Sequence, residues 1–274
     1  MNIYPAERYS PPSQPDRWER LKQFTDARIA LGRAGCSLPT RPMLEFQLAH
    51  AQARDAVYQQ LDAESLQQQF KKQLQLESLW VSSQATDKEH YLKRPDLGRQ
   101  LDDDSRNKLG QWKQHYPETV DVCIVVGDGL SALAIEVNAL PFLKALIPLI
   151  QQQQWTLAPV IIATGSRVAL GDDVAEILQA KMLVMLIGER PGLSSPDSMG
   201  MYYTWQAHRG CLDSQRNCIS NIRPAGLSIA MASQRLLHLM RQSYKLGLSG
   251  TQLKDDHQLE TLEHSTPTMQ KRLF

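Results

Sequence analysis

The stretch Val120 to Ser131 reads VDVCIVVGDGLS, and the fold class follows from it. A β-branched apolar run, Val120 to Val126, stops abruptly at Gly127-Asp128-Gly129, and a long apolar helical pattern then continues to Gln151. A continuous apolar run, rather than an alternating one, is the pattern of a strand buried on both faces. Downstream, Val160-Ile161-Ile162 gives a second short strand and Gly171 to Ala180 a helix. Met182 to Ile187 gives a third strand, closed by Gly188-Glu189-Arg190-Pro191-Gly192, and a strong final helix runs from about Ser228 to Leu246. Strands alternating with helices predict a parallel sheet covered on both faces, an α/β domain of Rossmann-like type.

Upstream the texture differs. From Trp18 to about Arg99 the signals are helical and no strand is expected. Phe46, Ala49, Ala53 and Val57 recur at helical spacing, with Thr40 and Pro42 suited to the start of that helix. Leu66, Phe70 and Leu74 mark a second, Gln-rich helix, and Asp102 to Ser105 a helix start or surface break. Four stretches are therefore expected: a flexible, proline-rich tail over 1–17, a smaller helical region over 18–112, the Rossmann-like domain over 113–253 and a polar tail over 254–274.

Composition bounds the function. In 274 residues, Lys+Arg 30 against Asp+Glu 29 leaves a net charge of +1, so no basic field for nucleic acid is expected. The apolar run Ala139 to Ile150 is interrupted by Lys144 and is too short for a bilayer of about 30 Å, so no membrane association is expected. The polar, proline-bearing N-terminus does not read as a signal peptide. Cys36, Cys123, Cys211 and Cys218 form no C-x-x-C pair or zinc spacing, which fits reduced thiols in a cytoplasm.

The candidate motifs each have a plain reading beside a chemical one. Gly127-Asp128-Gly129 resembles a dinucleotide turn, but Ala132 stands where the third glycine would fall and no P-loop lysine follows, so a tight βα turn is the better reading. Glu189 lies beyond an apolar strand, where ligands bind in open α/β sheets; an exposed charged turn is the alternative. Cys218, in Asn217-Cys218-Ile219-Ser220-Asn221, reads as a small buried residue in a short strand. The seven histidines form no metal motif, and Asp255-Asp256-His257 has Glu260 where a cobalt-binding histidine loop needs glycine. Arg28, Arg33, Arg41, Arg54, Arg94 and Arg99 form either a solvated face or a docking surface for a partner's carboxylates. No acid/base, nucleophilic or metal constellation emerges.

Several segments, in order over about residues 20–250, resemble the small (light) subunit of ethanolamine ammonia-lyase. They are Phe24 to Gly35 (FTDARIALGRAG), Pro39-Thr40-Arg41, Phe46 to Ala51 (FQLAHA) and Tyr91 to Arg99 (YLKRPDLGR). Further on come Asp128-Gly129-Leu130-Ser131, Gly188 to Leu193 (GERPGL) and Cys218 to Ile222 (CISNI). The resemblance implies an adenosylcobalamin-dependent radical lyase converting ethanolamine to acetaldehyde and ammonia. It also implies a separate large subunit holding the substrate site, with this chain completing the cobalamin site at the interface. Carried over by motif, Val168 (in Gly165-Ser166-Arg167-Val168) would make an apolar contact with the cofactor and Glu189 would accept its hydrogen bonds. Cys218 would line the pocket without binding cobalt, which the family leaves to the cofactor's own benzimidazole. Members delivered to bacterial microcompartments often carry an amphipathic N-terminal helix. The prolines of Met1 to Arg17 oppose one here, which favours the open cytoplasm. A self-sufficient enzyme using a dinucleotide or S-adenosylmethionine, and a purely structural partner, are the competing classes.

Overall fold

The computed structural model describes residues 15–116 and 118–254. Most of the expected N-terminal tail (1–14) and nearly all of the C-terminal one (255–274, with His257) therefore lie outside the described residues. Seven α-helices are described: α1 (Thr40–Tyr58), α2 (Ala63–Leu74), α3 (Lys88–Lys93), α4 (Asp103–His115), α5 (Ala132–Gln152), α6 (Leu170–Leu178) and α7 (Ile229–Leu246). Six strands, β1 (Ser78–Ser82), β2 (Val120–Gly127), β3 (Val160–Thr164), β4 (Ala180–Gly188), β5 (Met199–Trp205) and β6 (Arg216–Ile222), form one sheet in the order β1-β3-β2-β4-β5-β6.

Both faces of the centre are dry, as the apolar strands require. Val122, Ile124 and Val126 face a core shared with α2, α5 and α7, whereas Cys123 and Val125 face one shared with α4 and α6. Each such Val or Ile stabilises the fold by about 1.5–3 kcal/mol relative to exposure. By length and composition α5 is apolar enough to cross a membrane, yet Ile135, Phe142, Leu143, Leu146 and Ile150 are buried in this core.

Two expectations are corrected. The sheet is mixed rather than parallel: β1, β3, β2 and β4 run parallel, but β5 is antiparallel to both β4 and β6. A parallel return needs a crossover of about a dozen residues or more, usually carrying a helix. The links 189–198 and 206–215 are shorter and carry at most a single 3₁₀ turn, so both close hairpins. The stretch 194–215, for which the sequence pattern suggests no element, thus contains β5. The second correction is β1, which lies inside the region expected to be strand-free and pairs in parallel with β3 from Ser78↔Val160 to Ser82↔Thr164. This edge strand is short and only half buried, so it lacks the apolar run that marks its neighbours.

Adjacent aspartates at the start of α6 tie the layers together. Asp172 takes a two-pronged bond from Arg216 on β6, at 2.5 and 2.7 Å, with both side chains almost fully buried. Asp173 accepts from Arg106 on α4, from Arg209 and from the Leu101 amide at 3.1 Å. Burial pushes both carboxyls up from the ordinary aspartate value, and the arginines oppose that push. Removing one partner of a buried pair leaves an uncompensated charge, which costs about 3–5 kcal/mol. Arg216→Met is therefore expected to lower unfolding free energy by that amount in a urea titration, and adding Asp172→Leu should restore most of it. A double variant no more stable than Arg216→Met would show that the loss does not come from the stranded carboxylate.

Candidate functional site

At the carboxyl edge of the sheet, β2 and β4 approach so closely that their turns exclude side chains. Gly129 has φ +55, and a Cβ there would stand 2.3 Å from the Gly188 carbonyl oxygen; a Cβ on Gly188 would meet the Ser131 carbonyl oxygen at 2.0 Å. Gly129 thus serves contact between two backbones, whereas Gly127 makes room for the Ser166 and Met185 side chains. The start of α5 is also occupied. Ser131 is buried, accepts from the Ala134 amide at 3.2 Å and donates to the Pro196 carbonyl at 2.7 Å.

Because α5 and α6 lie on opposite faces, the crevice where an open α/β sheet binds ligands falls between the ends of β2 and β3. The Asp128 carboxylate fills it. Its oxygens accept from the amides of Gly129, Gly165 and Ser166 at 2.8–2.9 Å and from the Ser166 hydroxyl at 3.0 Å. Burial raises this carboxyl above its ordinary value, while the Ser166 and Gly165 amides and the Lys88 charge pull it back. Lys88, whose own pKa burial lowers, donates to the Gly129 carbonyl at 3.0 Å. The adjoining cavity of about 580 Å³, which Lys88 and Tyr91 also line, is thus bordered by groups already bonded to one another. Each buried donor left unpaired costs about 1–3 kcal/mol. Asp128→Ala is expected to destabilise the chain by several kcal/mol in thermal or urea unfolding, and Asp128→Asn by less. Equal stability of Asp128→Ala and the parent chain would contradict this.

Glu189 stands at the end of β4 on a scaffold built for it. Its amide donates to the Ser198 carbonyl at 3.0 Å, while its Oε2 accepts from the Ser198 hydroxyl at 2.5 Å and the Asn221 amide at 3.3 Å. Gly200 leaves it room, since a Cβ there would lie 2.9 Å from Oε1. Oε1 has no hydrogen-bond partner among the described residues. The 190–198 loop is pinned to α5 through Asn138, which donates to the Asp197 carbonyl at 2.8 Å. Arg28 of the N-terminal segment reaches the Leu193 carbonyl at 3.3 Å.

Val168 and Cys218, more than forty residues apart in sequence, line one open cavity of about 600 Å³ on the α6 face of the sheet. Val168 lies half-buried in the turn before α6. Cys218 is exposed on β6, in register with Tyr202, which corrects the expectation of a buried thiol. Among the described residues no helix covers β5 and β6 on that face, and the thiol is exposed. Glu189 is not in the cavity wall. Its charge reaches Tyr202, whose phenol burial pushes up to about 12 with Cys218 and Glu189 adding to the shift. Tyr202 thus lies between the two parts of the site. The sequence pattern does not single it out, because no strand is expected over β5.

Another pair of quoted segments meets here. The Arg167 amide donates to the Gly98 carbonyl at 2.7 Å, and a Cβ on Gly98 would stand 2.9 Å from Arg167 Cγ. The Tyr91–Arg99 stretch therefore locks onto the Gly165–Val168 turn. The Arg167 guanidinium stacks over Tyr91 with its carbon 4.3 Å from the ring centroid. Its Nε is buried without a hydrogen-bond partner. Among the described residues, no group of three His, Cys, Asp or Glu side chains could hold a metal ion.

Comparison with known proteins agrees with these segments. A family model described as ethanolamine ammonia-lyase light chain matches residues 15–254. The ethanolamine ammonia-lyase small subunit of Pseudomonas fluorescens is 51% identical over 265 residues, covering 96% of each chain. The proteins of that name from Pseudomonas aeruginosa and Pseudomonas putida are each 50% identical, over 250 and 263 residues, covering 91% and 96% of each chain. Matches of this extent and identity place the chain in a family: it belongs to the ethanolamine ammonia-lyase small (light) subunits.

Proposed function

We propose that this chain is the non-autonomous small subunit of an adenosylcobalamin-dependent ethanolamine ammonia-lyase. On this reading it works in the cytoplasm, completing the cobalamin site at its interface with the large subunit. The observation that carries the reading is the convergence of Val168 and Cys218 on one open cavity, with Glu189 held rigidly at the neighbouring strand end. The residues fit such a group. The cavity is apolar at Val168, carries an unpartnered buried donor at Arg167 Nε, and is much too small and too open to enclose a corrinoid. It receives one edge, and another chain must close the rest.

When bound, adenosylcobalamin supplies the adenosyl radical that starts the conversion of ethanolamine to acetaldehyde and ammonia. The residues of this chain bind and orient. Val168 offers an apolar contact, and Cys218 lines the wall without ligating cobalt. Glu189 presents Oε1 as an acceptor, while Ser198 and Asn221 hold Oε2 and fix its direction. Exposed Trp18, Phe24, Leu38, Leu44, Phe46 and Leu48 offer the large subunit apolar contacts, and the N-terminal segment that carries the first two is tethered to the Glu189 loop through Arg28. A self-sufficient dinucleotide enzyme is disfavoured because the turn after β2 lacks the third glycine and its amides are already bonded, that of Gly129 to Asp128 and that of Ala134 to Ser131.

A hydrogen bond to a charged acceptor contributes about 1.5–3 kcal/mol, so Glu189→Ala is expected to weaken cobalamin binding by about ten- to a hundredfold. Glu189→Gln, which keeps an acceptor oxygen, should lose less. The check is a visible-spectrum titration of the reconstituted complex, with subunit assembly measured separately. Normal assembly with parental affinity in both variants would reduce Glu189 to a charged turn.

The purified chain alone is expected to release no acetaldehyde from ethanolamine, with turnover appearing when the cognate large subunit and adenosylcobalamin are added. Steady turnover by the isolated chain would rule the subunit role out.

A further inference from the structure

We propose that Arg99, seconded by Arg167, recognises the anionic phosphodiester of the cobalamin nucleotide loop; this rests on the cobalamin reading above. Four charged side chains line the Val168–Cys218 cavity: Arg99, Arg167, Arg216 and Asp213. Those on the β6 side are balanced. Arg216 is neutralised by Asp172 and lies 3.5 Å from Asp213. Those on the α6 side are not. Arg99, at the end of the 3₁₀ turn Leu97–Arg99, is exposed, and its guanidinium has no partner among the described residues. Of the two acids three residues away, Asp96 is held by Arg94 in two bonds of 3.0 and 2.7 Å, and Asp102 caps α4 by accepting from the Ser105 amide at 2.8 Å. Arg167 bonds only the Tyr91 carbonyl, at 3.1 Å, and leaves Nε buried and unpartnered.

Two guanidiniums therefore border one wall of the cavity without a counter-charge. Their positions are built rather than incidental, because the Gly98 carbonyl accepts from the Arg167 amide and Gly98 has no room for a side chain. The periphery of a corrinoid is made of neutral amides and methyl groups, and its fixed negative charge sits on the nucleotide-loop phosphodiester. Guanidinium forks match the geometry of phosphate oxygens. The phosphodiester is thus the group on this ligand that an unpaired guanidinium can recognise, and it orients the corrinoid edge with its nucleotide loop toward Arg99.

The test compares cobalamin with cobinamide, which lacks the phosphate and nucleotide, by visible-spectrum titration of the reconstituted two-subunit complex. In the parent complex, cobalamin should bind more tightly and lose affinity as salt rises. Arg99→Gln should weaken cobalamin by about tenfold, as expected for a charge-assisted bond, and leave cobinamide unchanged. Arg99→Lys should recover part of the loss. Equal weakening of both corrinoids, or none, overturns the proposal. Impaired subunit association in Arg99→Gln, read by sizing chromatography, also overturns it, because Arg99 then serves a carboxylate of the partner. A parent complex that binds neither corrinoid refutes the cobalamin reading itself, and is distinguishable from an Arg99-specific failure.

Discussion

The ends of β2, β3 and β4 are held together by one buried carboxylate and three turns too close for side chains. Asp128 leaves the end of β2 and satisfies the first two amides beyond β3, while Gly129 and Gly188 bring β2 and β4 into backbone contact. Two parts of the candidate site, Val168 and Glu189, hang from this junction. The turn that Asp128 anchors runs on through Arg167 to Val168, and the residue after Gly188 is Glu189. A carboxylate with this many donors is oriented firmly, and it closes the crevice that an open α/β sheet usually keeps for a ligand. The cavity shared by Val168 and Cys218 is displaced sideways from that crevice, to the α6 face of β5 and β6, which no helix among the described residues covers.

That displacement suits a subunit better than an independent enzyme. The cavity is open, and of the charges that line it Arg216 is fixed by its buried pair with Asp172. Asp172 and Asp173 draw arginines from β6, from α4 and from the loop before Cys211, so the walls are rigid before any ligand arrives. Preorganisation of this kind lowers the ordering cost of binding. Several aromatic and aliphatic side chains of the N-terminal segment and α1, among them Trp18, Phe24, Leu44 and Leu48, are exposed and lie outside the two cores.

The quoted family segments find a physical explanation in these contacts. Tyr91 to Arg99 carries Gly98, whose missing side chain admits the Arg167 stem, and Tyr91, whose ring carries the Arg167 guanidinium. Gly188 to Leu193 carries the backbone contact with Ser131, Glu189 itself and the Leu193 carbonyl that Arg28 reaches. Cys218 to Ile222 carries the Asn221 amide that steadies Glu189. Segments distant in sequence are specific together because they meet in space.

Local pattern alone determined the central strands β2, β3 and β4 and the long helices α5 and α7, because burial on both faces and helical spacing are written into consecutive residues. The direction of β5, the existence of β1 and the exposure of Cys218 were not legible. Strand direction depends on the length and content of a connection, edge strands lack a dense apolar run, and exposure depends on which helices happen to cover a face. The motif residues Val168, Glu189 and Cys218 could be named from sequence through resemblance. Only tertiary structure decided that two of them share a cavity, that Tyr202 lies between those two and the third, and that Arg99 and Arg167 border it unpaired. Such relations depend on the distances between side chains far apart in the chain, and no periodicity encodes them.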